Sequence, residues 1–133
     1  MKKYKPTKVT TALLETHNRF NIRVSRCRYG RGVFAGQDFQ KGELIEVCPM
    51  LIVDDYSATM AWVAGQSDFE RYFFDFDGVF GIALGYGSLY NHSKTPNALY
   101  IDNSKGNELI IYASKNIKKG YQVFIDYGYE PKK

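Results

Sequence analysis

What the chain has little of narrows it first. Of its 133 residues only two are cysteines, Cys27 and Cys48, and they form no CxxC pair. With only His17 and His92 to join them, no zinc quartet can be assembled, so no metal is expected. So few cysteines also fit a reducing compartment. At this length, with 44% hydrophobic residues, one domain can bury a core without disulfides or metal. Nowhere do about eighteen apolar residues run together, so no membrane-spanning helix is expected. The basic start, MKKYKPTK, leads into TTALLETHNRF and not into a sustained apolar stretch. No secretion signal is visible there, and a soluble intracellular protein is the expectation. Repeats, low-complexity blocks and interdomain linkers are missing as well.

Charge is present but unevenly placed. Lys+Arg 18 against Asp+Glu 14 gives a formal net charge of +4. Much of the excess sits in Lys2, Lys3, Lys5, Lys8, Lys132 and Lys133, which describes tails more than a binding face. Nucleic acid is therefore not expected as a direct, specific ligand. A basic, aromatic-rich nucleic-acid binder is the outlying alternative, with steeply salt-dependent binding as its signature. The eleven tyrosines and nine phenylalanines are more informative. Tyrosine builds a wall that is apolar along the ring and hydrogen-bonding at the tip, which suits a β-rich core and a narrow channel equally.

Short extended runs closed by Gly or Asp follow one another along the chain. Residues 21–24 (NIRV) alternate and read as a strand; RYGRG at 28–32 supplies a glycine turn, and Val33-Phe34-Ala35 resumes extended structure. DFQKG at 38–42 is a polar turn before a strand at 43–47 (ELIEV), and 49–53 (PMLIV) continues as extended apolar chain. A short helix is read at 54–65, with Asp54 or Asp55 near its start and Gly65 past its end. Asp77-Gly78 makes a hairpin turn between apolar runs, and a second hairpin joins ALYID (98–102) to ELIIYA (108–113) across NSKGN. Lys118-Lys119-Gly120 turns into a last strand at 123–125. The sum is a single, mostly-β domain of short strands with little helix.

The stretch 85–98, GYGSLYNHSKTPNA, is the polar centre of this pattern. Asn91-His92-Ser93 packs hydrogen-bonding groups into a short span, while Gly85, Gly87 and Pro96 forbid a long regular element. Alone, such a run is turn chemistry. It stands, however, in series with Gly30-Arg31-Gly32-Val33-Phe34-Ala35 and with Phe124-Ile125-Asp126-Tyr127-Gly128. In order and spacing these three segments resemble the signature motifs of SET-domain protein lysine methyltransferases. The turns at Lys41-Gly42-Glu43 and Lys118-Lys119-Gly120 also fall where that family places them. The resemblance spans residues 21–129 and looks nearest to the compact single-domain SET proteins of large DNA viruses and bacteria. It divides the chain into a basic extension (1–20), a SET domain (21–130) and a short basic tail (131–133).

The resemblance implies a fold of small β-sheets with a C-terminal pseudoknot, in which the last motif passes beneath the loop carrying Asn91. It also implies S-adenosylmethionine as cofactor and a protein substrate with an exposed lysine, such as a histone tail. Carried over by motif, Gly30, Arg31, Gly32, Asn91, His92 and Tyr127 would hold the cofactor, and Tyr127 would be the catalytic residue. Tyr72, Tyr86, Tyr100, Ile125 and Tyr129 would line the lysine channel, with Tyr90 a further wall candidate; each tyrosine could equally be core. Read alone, Gly30 and Gly32 make only a hairpin turn, and His92 is a core histidine fixing the loop. Ile125 stands where many relatives carry the aromatic residue that limits methyl number. With only Glu130 to Lys133 after the last motif, a homodimer whose second subunit completes the site is expected. Nuclear or host-nuclear localisation follows if the substrate is histone, and cytoplasmic otherwise. A noncatalytic SET-like module holding lysine or methyl-lysine by cation–π contact is the alternative.

Overall fold

A computed structural model describes residues 20–53, 72–76, 79–103 and 107–128. The helix read at 54–65, the turn residues Asp77-Gly78, most of the NSKGN turn, the two terminal extensions and Tyr129 lie outside the described residues. Along the described chain run β1 (Ile22–Cys27), β2 (Gly30–Ala35), β3 (Leu44–Ile52), β4 (Phe73–Phe76) and β5 (Val79–Ala83). A 3-10 turn (Gly87–Leu89) follows, then β6 (Asn91–His92), β7 (Ala98–Asn103), β8 (Glu108–Ala113) and β9 (Gln122–Ile125). Two sheets result, one ordered β1-β2-β9-β6 and the other β4-β5-β3-β8-β7. The mostly-β expectation holds.

Local chemistry explains most of these elements. β1 and β2 form a hairpin with Cys27 opposite Gly30, so the turn contains only Arg28 and Tyr29. Gly30 takes a φ of +99°, a left-handed conformation that glycine adopts without a Cβ penalty. One such residue closes the turn. Arg31 and Gly32, read as turn in the sequence, therefore pair with Arg26 and Ser25. The hairpin read around Asp77-Gly78 is borne out by its flanks, where Phe76 pairs with Val79. β7 and β8 likewise pair along their length from Ala98↔Ala113 to Asn103↔Glu108.

The strand expected at 43–47 and the extended chain that continues it at 49–53 form one strand, β3. Pro49 does not interrupt β3, because it stands where the strand changes partner. Leu44–Pro49 faces β8, whereas Met50–Ile52 faces β5. A residue without an N–H fits such a handover. The β3–β8 register also slips between Leu44 and Glu46. A bulge breaks the strict alternation of faces, and here the consecutive residues Ile45 and Glu46 are both buried.

The core gathers Ile22, Val33, Ile45, Leu109, Ile111, Val123 and Ile125, each at 0–1% exposure. On β9 only Val123 and Ile125 point inward; Gln122 and Phe124 face the other way. That alternation leaves one side of β9 for the polar groups that follow.

Candidate active site

Three segments far apart in sequence meet around β9. β6 runs parallel to it, Asn91 opposite Phe124 and His92 opposite Ile125. The Ser93 N–H extends the pairing by donating to the Ile125 carbonyl at 2.9 Å. Asn97 fastens the same strand from its side chain: its Nδ2 donates to the Gln122 carbonyl at 2.9 Å, and its Oδ1 accepts from the Phe124 N–H at 2.8 Å. An asparagine satisfies both because its amide carries donors and an acceptor.

Asn91 ties the glycine segment of β2 into this assembly. Its Nδ2 donates to the Arg31 carbonyl at 2.9 Å and to Gln122 Oε1 at 2.7 Å, with Cys27 Sγ at 3.5 Å. Gly32 makes room for it, since a Cβ there would stand 2.7 Å from Asn91 Nδ2. Beside Gly30 the space that a Cβ would occupy is open to 4 Å. Exposed backbone at Gly30 and Arg31, together with an amide that still offers Oδ1, suits a small zwitterionic ligand, whose two charges need an acceptor and donors.

Tyr127 is held at both ends. Its N–H donates to His92 Nδ1 at 3.0 Å, and its hydroxyl donates to the Tyr90 carbonyl at 2.5 Å. Because Nδ1 accepts, the neutral ring carries its proton on Nε2. The two rings lie 5.1 Å apart between centroids, tilted by 44°. Asp126 Oδ1 is 3.7 Å from Nδ1 and accepts instead from the Gly128 N–H at 2.8 Å. The His92 side chain thus positions the segment that carries Tyr127.

Behind the Tyr90 carbonyl lies a buried polar cluster that no motif or spacing signals. Tyr90, 1% exposed, donates its hydroxyl to Glu46 Oε1 at 2.8 Å. Glu46 is 4% exposed, and its Oε2 accepts from the Tyr86 N–H at 2.9 Å. Of the two readings open for Tyr90, its side chain is core. Burial, and then the neighbouring Glu46 charge, push the Tyr90 hydroxyl well above 10.0. The same causes in the same order raise the Cys48 thiol far above its ordinary 9.0.

These shifts set an alkaline limit on stability. In the unfolded chain the thiol loses its proton near 9.0 and the phenol near 10.0, while the fold keeps both protonated. The native state then binds more protons, so its full stability below pH 9 declines as pH rises, by up to about 1.4 kcal/mol per pH unit for each group. Cys48→Ala is expected to flatten part of that decline in urea unfolding between about pH 8.5 and 10.5. An unaltered slope would mean that the thiol is not buried as described.

The remaining expected site residues are placed as follows. Tyr72, 37% exposed, accepts at its carbonyl from Ser88 Oγ at 3.2 Å, beside the 3-10 turn. Tyr86 is half-buried at the start of that turn. Tyr100 packs against the core from β7 with its ring edge-on to Phe74, 5.5 Å between centroids. Ile125 is wholly buried. The structure therefore joins Gly30, Arg31, Gly32, Asn91, His92 and Tyr127 in one place. Sequence reasoning missed Gln122, whose signal was only its place two residues before the Phe124 motif, and Glu46, for which there was none. Among the described residues no group of three or more His, Cys, Asp or Glu is arranged to hold a metal. Among the same residues no helix is long and apolar enough to cross a membrane.

Comparison with known proteins agrees with this geometry. The SET domain family matches residues 30–128, which begins at the glycine segment and ends one residue past Tyr127. The chain belongs to the SET-domain family. This SET domain is 30% identical over 103 residues to the histone-lysine N-methyltransferase, H3 lysine-37 specific, of Schizosaccharomyces pombe, a match covering 76% of the chain and 68% of that protein. It also resembles a crystal structure of a candidate histone methyltransferase of Plasmodium falciparum, with TM-score 0.63 and 29% identity over 84% of this chain and 96% of that one. Membership and these relatives support lysine methyltransferase activity for the SET domain in general terms.

Proposed function

We propose that the chain is an S-adenosylmethionine-dependent protein-lysine N-methyltransferase acting on a histone tail or another basic protein. One observation carries the reading: the same short assembly holds a zwitterion-compatible cradle at Gly30, Arg31, Gly32 and Asn91 and a tyrosine hydroxyl fixed at Tyr90. When bound, the cofactor would supply a methyl group on a cationic sulfonium; the neutral lysine nitrogen would bond to that carbon as the C–S bond breaks, with S-adenosylhomocysteine as the leaving thioether. The protein's part is alignment, for which effective molarities set a ceiling of roughly 7–11 kcal/mol. A free lysine has a pKa of about 10.4, and an aromatic channel lowers it by disfavouring the ammonium. No general-base side chain is then required.

In this reading Gly30, Arg31 and Gly32 meet the amino-acid head through backbone, the Asn91 side chain binds it, and the His92 backbone pairs with adenine. Tyr127 directs its hydroxyl oxygen toward the methyl and the lysine nitrogen. Tyr72, Tyr86 and Tyr100 line the channel, whereas Ile125, wholly buried on β9, presents no open face to it. Assembly as a homodimer is proposed with it on family resemblance alone; sedimentation of a fully active monomer would remove that part.

The direct assay is transfer of radiolabelled methyl from S-adenosylmethionine to histone and total-protein panels, followed by mass-spectrometric location of the methyl-lysine. Label on lysine is expected. Good cofactor binding with persistent lack of incorporation would favour a noncatalytic binding module.

A further inference from the structure

We infer that Glu46 is a positioning residue for Tyr127, acting through Tyr90. The bulge in β3 turns the carboxylate inward, under the loop that leads into Asn91. There it grips both ends of a five-residue segment, Tyr86 to Tyr90. Oε2 takes the Tyr86 N–H at 2.9 Å, and Oε1 takes the Tyr90 hydroxyl at 2.8 Å. Gly85, at φ +65°, permits the approach, since a Cβ there would stand 2.6 Å from Oε2. Gly87, inside the segment, lies so near Cys48 that a Cβ would be 2.9 Å from its sulfur. The 3-10 turn is thereby seated directly on β3.

The consequence falls on the Tyr90 backbone. Its side chain is anchored in the core by Glu46, while its carbonyl accepts the Tyr127 hydroxyl. Moving the ring moves the acceptor. Burying a carboxyl group is costly unless its oxygens are hydrogen-bonded, and both oxygens of this one are. A residue that merely filled space would be apolar. A carboxylate has two acceptor oxygens, and here each fixes a different point of the loop.

The kinetic consequence rests on the methyl-transfer reading; the structural one does not, and the test separates them. Tyr90→Phe keeps the ring and the carbonyl but loses the anchor, and Glu46→Ala loses it from the other side. Both are expected to lower kcat about tenfold, with the KM for a histone peptide and the calorimetric Kd for S-adenosylmethionine within about twofold of the parent. Glu46→Gln keeps an acceptor for Tyr86 and can donate to the Tyr90 oxygen, so it is expected to stay within about threefold. Parallel NMR of protein carrying 13Cζ-tyrosine, with the Tyr127 signal assigned through Tyr127→Phe, reads the hydroxyl whether or not the protein is active. That signal is expected to move in Tyr90→Phe and Glu46→Ala and to return in Glu46→Gln. A Tyr127 signal unmoved in folded Tyr90→Phe would overturn the inference, as would a lowered melting temperature with unchanged kcat. A parent that binds cofactor but transfers nothing would overturn the methyl-transfer reading alone.

Discussion

Tyr127→Phe is expected to slow methyl transfer well over tenfold while leaving the affinity for S-adenosylmethionine nearly intact. The substitution removes one oxygen and keeps the ring, so the contact with His92 and the backbone bond to its Nδ1 survive. What disappears is the hydroxyl fixed at the Tyr90 carbonyl. Losing that bond in the resting protein costs about 1 kcal/mol, too little to unfold a domain of this size. Losing a preorganised dipole at the reacting centre costs more. Single groups of this kind are worth about 10²–10³ in rate where charge develops most strongly, and a neutral hydroxyl beside a methyl in flight lies toward the lower end. The split decides the assignment. A fall in kcat with unchanged KM and Kd places the hydroxyl in the transition state, whereas a rise in both would mean that it only helps to bind. An unchanged rate would put the reacting centre elsewhere.

How much of this was legible in the sequence depended on whether the information was local. The β1–β2 and β7–β8 hairpins were readable because alternation and turn residues act over a few positions, and their strands appear close to where they were expected. The motif segments were readable as strings, which is why Gly30, Arg31, Gly32, Asn91, His92 and Tyr127 could be grouped before any geometry was known. Their mechanical connection was not. β6 is two residues long inside a turn-rich stretch, and it pairs in parallel with a strand about thirty residues further on. No periodicity signals such a pair. How Pro49 is accommodated was not legible, because its missing N–H is harmless only if the partner strand changes there, which is a fact about β5 and β8. Glu46 was invisible for a related reason: a one-residue bulge reverses the face of every side chain beyond it. Tyr90 could be wall or core until Glu46 was known to wait for its hydroxyl.

Asn91→Ala is expected to weaken S-adenosylmethionine binding about ten- to a hundredfold with a much smaller effect on kcat at saturating cofactor. The side chain has two tasks, and their magnitudes differ. Within the protein its Nδ2 serves the Arg31 carbonyl and Gln122 Oε1, both near the surface, so water can replace it at a cost of about 1 kcal/mol. Toward the cofactor the same amide would meet a charged head group, and a hydrogen bond to a charge is worth about 1.5–3 kcal/mol. At 1.4 kcal/mol per decade, that is a loss of roughly ten- to a hundredfold in affinity. Gly32→Ala provides an independent route to the same result, since its methyl would stand 2.4 Å from Gln122 Oε1 and 2.7 Å from Asn91 Nδ2 and push the bonded pair of amides aside without deleting either. Both variants should lose affinity together in calorimetry, while their melting temperatures fall by only a few degrees. If Gly32→Ala binds cofactor as the parent does while Asn91→Ala does not, the amide contributes through its fixed contact with the Arg31 carbonyl and not through a place beside Gly32. If neither changes affinity, the head group does not lie on this side of β9.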